Sequence, residues 1–178
     1  MKWLEEDFSF LLSTADEFGE YITSQVNDWN LHSSRLVLTP GRVLLALTRL
    51  SSVQLTDPRI PNLLESIKAQ IDAKSFLWQK KVDQELPRRL RVWENALKEY
   101  REEGLDNSYV AQVVNRTIIG LLQKAAYSIP PGFETHLLKL DDELRTIGSP
   151  GDFIWDKQLK AAFPDTDYWF LYIGKKKG

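Results

Sequence analysis

Apolar residues recur at helical spacing along almost the whole chain. Between residues 3 and 29, Leu4, Phe8, Leu11, Ala15, Phe18, Ile22, Val26 and Trp29 share one stripe, which predicts a long amphipathic helix. A second helix is expected to start at Thr39-Pro40, a capping hydroxyl followed by proline at the first helical position. Its sequence, GRVLLALTRLSSV, is apolar around most of its circumference and so belongs among other helices. After the turn-forming TDPRIP, residues 62 to 86 repeat Leu64, Ile67, Ile71, Ser75, Trp78 and Val82 on one face. Pro87 predicts a kink or break, since proline donates no backbone hydrogen bond and disfavours helical geometry at Leu86. Leu90, Trp93, Leu97 and Tyr100 continue an apolar face to a capping glycine, Gly104.

From Asn107 the pattern restarts with Val110, Val113, Val114, Thr117, Ile118, Leu121, Leu122 and Ala125 on one wide face. The run is β-branched, yet it is far longer than an ordinary strand and keeps the helical period. Pro130-Pro131-Gly132 closes it and opens a helix carrying Phe133, Leu137, Leu140, Leu144 and Ile147. GSPG at 148 to 151 reads as a turn, and a short helix with Trp155, Leu159 and Phe163 is expected beyond it. The expectation is an all-α bundle of five or six main helices in a single helical domain, 1–178. Helix two and the helix from 108 to 127 form its central pair, and a short extended aromatic segment ends the chain.

That segment, DYWFLYIGKKKG at 167 to 178, alternates Tyr168, Phe170 and Tyr172 with Trp169, Leu171 and Ile173. Read as a strand, it has two faces that both need cover, so it either docks in the chain's own core or serves as an interface with a second copy. Its six apolar residues would extend only about 20 Å, too short to span a bilayer, and its lysines make at most a weak surface anchor.

Composition narrows the chemistry. The 178 residues are 43% hydrophobic, with six tryptophans, and contain no cysteine, which excludes disulfides, thiolate metal sites and thiol nucleophiles. The acidic start carries no uninterrupted apolar region of the kind a signal peptide needs, and no run approaches a membrane-spanning length. A cytoplasmic protein is the expectation by elimination. Asn115-Arg116-Thr117 matches a glycosylation triplet but falls in a helical pattern. There is no phosphate-binding glycine loop, nucleophile elbow or zinc-protease motif. His32 and His136 stand alone, so no metal and no cofactor is expected. The paired carboxylates Glu17 with Glu20 and Glu99 with Glu102 lie off their helices' apolar stripes and read as solvated faces; Asp141-Asp142-Glu143 is a third acidic cluster.

Charge is distributed unevenly. Residues 1 to 30 hold seven acids and one lysine, whereas residues 31 to 60 hold four arginines and one aspartate. Arg42 and Arg49, seven apart on helix two, share a face and need counter-charges. A carboxylate of helix one is the plain partner; an anion site shared with Arg116 is the alternative. A second cationic group, Lys80, Lys81, Arg88, Arg89 and Arg91, lies near Trp78 and Trp93 and could track nucleic-acid phosphates, although those tryptophans sit on the core stripe and the net charge is −2. The leading reading is a non-catalytic helical interaction protein, a homo-oligomer or a subunit of a larger complex. A small-molecule enzyme or sensor holding an anionic ligand on buried arginines, and a nucleic-acid-contacting subunit, are the alternatives.

Overall fold

The computed structural model describes residues 2–53 and 57–176; Thr56 of the expected TDPRIP turn and the last lysine of the tail, Lys177, lie outside them. The fold is all-α. Its main helices are α1 (Lys2–Thr23), α2 (Pro40–Ser52), α3 (Arg59–Ala73), α4 (Ser75–Glu103), α5 (Tyr109–Ala125) and α6 (Phe133–Ile147), followed by the single turn α7 (Asp165–Tyr168). Two antiparallel pairings of two-residue strands tie loops together. β1 (Trp29–Asn30) pairs with β2 (Val37–Leu38), and β3 (Ser149–Pro150) pairs with β4 (Ile173–Gly174). No helix among the described residues is long and apolar enough to cross a membrane.

Local signals explain most boundaries. Thr39 caps α2 by accepting the Arg42 N–H, and Pro40 takes the first helical position. Gly104 ends α4 at φ 77°, a conformation glycine adopts without steric cost. α1 stops six residues before the expected end, because the Ser24 hydroxyl donates back to the Tyr21 carbonyl. Lys81 then donates to the Ser24 and Val26 carbonyls at the helix C-terminus, where a cation is favoured. Trp29 therefore lies in β1, opposite Leu38, rather than on the α1 stripe.

Two further expectations change. The break predicted at Pro87 is absent: α4 runs through it, and the chain turns instead at Lys74, whose φ of −124° is not helical. The hydrogen bond lost at Pro87 is outweighed by the face around it, where Trp78, Val82, Leu86, Leu90, Trp93 and Leu97 are all buried. The GSPG stretch is not a free turn, since its Ser149-Pro150 forms β3 against the tail.

Buried side chains from every helix form one connected apolar cluster that includes Phe10, Leu50, Ile67, Trp93, Leu122, Leu144 and Phe163. Within it α2 packs on α1, α3, α4 and α5; the expected contact of α2 with α5 forms, but the most extensive pairing is that of α4 with α5. Gly41 permits the closest approach: a Cβ there would meet Ile118 Cγ2 at 2.2 Å and the Glu85 carboxylate at 3.0 Å. That contact seats the first turn of α2 directly over a buried acid of α4.

Candidate functional site

Glu85, fully buried on α4, lies beneath the first turn of α2. A buried carboxylate must be matched by donors. Thr39 Oγ1 donates to Glu85 Oε1 at 2.9 Å, the Gly41 N–H donates to Oε2 at 2.7 Å, and Arg89 Nε donates to Oε1 at 2.7 Å. The rest of the Arg89 fork is also engaged, with Nη1 on Asn115 Oδ1 at 2.8 Å and Nη2 on Thr39 Oγ1 at 3.2 Å. The network fixes the relative position of α2, α4 and α5 at this end of the molecule.

Above it opens a cleft of about 380 Å³ lined by Asp28, Arg35, Leu36, Val37, Thr39, Arg42, Arg88, Arg89 and Val92. Arg88 is paired with Asp28 in a fork, Nη2 to Oδ1 at 2.6 Å and Nη1 to Oδ2. Arg89 is held by Glu85. Four arginines thus face two carboxylates, and the surplus lies on Arg35 and Arg42. Arg35 is exposed and solvated, but Arg42 is half-buried. Among the described residues no carboxylate lies within 4 Å of its guanidinium, and its side chain donates no hydrogen bond. Burial first, and then the adjacent Arg89 charge, push its pKa down from the ordinary arginine value.

The three arginines weighed as an alternative anion site do not form one: Arg42 and Arg49 both lie near Asp7 of α1, whereas Arg116 is held by Asp141 of α6. Arg49 lies near Asp7 of α1, with Nη1 3.6 Å from Oδ2, and its guanidinium stacks 4.4 Å from the Trp155 ring centre. Burial raises the Asp7 pKa against the opposing charges of Arg49 and Arg42. Arg116 makes a buried fork with Asp141, both bonds at 2.8 Å, under the ring of Phe170. Only Arg42 reaches the cleft.

The second basic group also divides. Arg88 and Arg89 enter the cleft, whereas Lys81 is buried, over the Tyr21 ring. Its burial, followed by the Lys80 charge, lowers its pKa. Lys80 and Arg91 are exposed, and Trp78 and Trp93 are core residues with no face free for base stacking.

Other candidate residues have structural partners. Glu17 does not point to water: its side chain is 13% exposed and accepts from Trp29 Nε1 and the His32 N–H, each at 2.8 Å, with the His32 ring at 2.8 Å. Glu20, Glu99 and Glu102 are exposed as expected. Asp141 is engaged by Arg116, Asp142 by Arg145 and Glu143 by Arg101. His136 lies 3.7 Å from Glu94. No group of ligating side chains able to hold a metal ion occurs among the described residues.

The aromatic tail docks in its own chain mostly through turns of helix, with 3₁₀ geometry from Trp169 to Tyr172 and only Ile173 and Gly174 extended, as β4. Tyr168, Phe170, Leu171 and Ile173 are buried, and Tyr109 donates its hydroxyl to the Phe170 carbonyl at 2.6 Å. Trp169 lies under the Arg145 guanidinium at 4.0 Å, and Tyr172 donates to the Phe163 carbonyl at 3.0 Å.

Sequence reasoning missed Asp28 as part of the cleft, and Glu85 and Asn115 as parts of the network beneath it. Glu85 and Arg89 are four apart on one helix and so form a legible pair. The glycine two residues after Thr39 was a legible sign of close backbone approach. Nothing local indicated that the two would meet. Compared with known protein families, curated proteins and solved structures, the chain matches none of them.

Proposed function

We propose that the chain is a helical binding protein whose cleft at the start of α2 takes the oxyanion group of a ligand, a phosphate or a carboxylate. The observation that carries this reading is Arg42, a half-buried cation with no carboxylate within ion-pair distance among the described residues, in a cleft where three other arginines gather. A partly desolvated guanidinium gains most from an anion that accepts two parallel hydrogen bonds, and phosphate and carboxylate both have that geometry. The cleft is larger than one phosphate group needs, and Leu36, Val37 and Val92 give it an apolar wall. A ligand with an anionic head and a less polar body fits both features.

The test is calorimetric titration and thermal-shift measurement with inorganic phosphate, pyrophosphate, a mononucleotide, citrate and a short single-stranded oligonucleotide. The expected result is saturable stabilisation by at least one of these, growing with the logarithm of ligand concentration. Arg42→Ala should weaken binding by about tenfold or more while leaving the fold intact, because the Arg42 side chain makes no hydrogen bond or ion pair among the described residues. A response to the oligonucleotide alone, falling steeply with salt, would identify a nucleic-acid backbone as the source of the phosphate. No saturable binding by any of the five rejects the reading.

A further inference from the structure

Phe76 and Tyr127 are 81% and 82% exposed, in a chain that buries most of its large aromatic side chains. Both line one groove of about 450 Å³, together with Gln79, Lys80, Asp83 and Gln84 of α4. Two aromatic rings open to water beside one groove mark a surface that gains from being covered.

The sequence of the α4 face says what could cover it. Phe76, Lys80, Asp83 and Pro87 fall within about 60° of one another around the helix, on the flank of its buried face. Their spacings are four, three and four residues, so the stripe has the same spacing from either end. By residue type it runs apolar, basic, acidic, apolar. A second α4 laid antiparallel therefore sets Lys80 against the partner's Asp83, and Phe76 against the partner's Pro87, each contact occurring twice. Such self-complementarity is what a two-fold interface requires. Asp83 already accepts from Gln79 Nε2 through Oδ1 at 2.9 Å, which leaves Oδ2 for a lysine. Lys80 is exposed and makes no ion pair among the described residues.

From these features we infer that the α4 stripe is a homodimer contact, with the two-fold axis passing between Lys80 and Asp83 and with Tyr127 walling the partner's helix. The surface is independent of the anion cleft, so failure of either reading leaves the other standing. The stripe is about 17 Å long and about one helix, ~10 Å, wide, so it covers far less than the roughly 800 Å² per partner of a standard interface, and the dimer is a weak one that forms as concentration rises.

Sedimentation equilibrium of the full chain from about 5 to about 500 µM tests it, the range in which so small an interface should assemble. A reversible monomer–dimer equilibrium is expected. Lys80→Asp and Asp83→Lys should each weaken dimerisation by about tenfold or more, since each places two like-charge pairs across the axis. An equimolar mixture of the two variants should recover dimer, because in that pairing every charge faces its opposite. Circular dichroism of each variant confirms that the fold is unchanged. A wild type that stays monomeric at the highest concentration overturns the inference. So does a dimer that neither substitution weakens, or a mixture that recovers nothing.

Discussion

Arg42, Arg49 and Arg116 are the same residue on two largely apolar helices, yet their side chains end in three states. Arg116 has a complete fork with Asp141, Arg49 has one long contact with Asp7, and Arg42 has no carboxylate within ion-pair distance among the described residues. The order follows the geometry available to each: a planar fork needs a carboxylate in its own plane, and among the described residues Arg116 alone of these three meets one, on α6. Glu17 shows the same dependence for an acid. Burial opposes its ionisation, but the hydrogen bonds from Trp29 and His32 prevail and hold its carboxyl below the usual range. A carboxyl with a depressed folded pKa contributes stability that is complete above its ordinary value and is lost as pH falls through the depressed one. Glu17→Gln should therefore melt at a lower temperature than the wild type at pH 7, and the gap should narrow as the pH is lowered past the ordinary carboxyl value. A gap that does not change with pH would mean that the carboxylate's charge contributes nothing.

At the scale of the element, α4 is the clearest conflict between local preference and packing. Its 29 residues include Pro87, which supplies no N–H to the Asp83 carbonyl. The helix persists because its buried face extends on both sides of the proline, from Trp78 to Tyr100, and a break would expose part of that face. Pro87→Ala should restore the missing bond, offset in part by the greater freedom of the unfolded chain. The expected gain is about 1 to 2 kcal/mol, read from urea denaturation. No gain would show that the backbone around residue 83 already satisfies its carbonyl elsewhere. α2 shows the opposite case. Its cap, its proline and its glycine all agree with the structure built on them, and the close seating of Gly41 over Glu85 positions the arginine cleft.

Across the whole molecule, the chain's end completes the core. Trp155, Phe163, Tyr168 and Phe170 form a series of edge-to-face contacts with ring centres 5.0 to 5.9 Å apart, and β4 ties Ile173 and Gly174 to the residues after α6. Phe170 is fully buried and covers the Arg116–Asp141 fork. Phe170→Ala should cost about 3 to 5 kcal/mol, the range for emptying an aromatic site in a core. A loss below about 1 kcal/mol in chemical denaturation would show that the tail packs without stabilising the fold.

The helical pattern, the start of α2 at Thr39, the cap at Gly104 and the need of the aromatic tail for cover were all legible in the sequence. Each depends on residues within a turn or two of one another, where backbone geometry alone fixes which side chains share a face. Tertiary structure decided which charges meet. Arg42 joins Arg88 and Arg89, Lys81 turns inward to the end of α1, and Arg116 finds Asp141 twenty-five residues away. Those partners depend on how closely two helices approach and how each is rotated about its axis. The packing of the whole core sets both quantities, and no local pattern carries them.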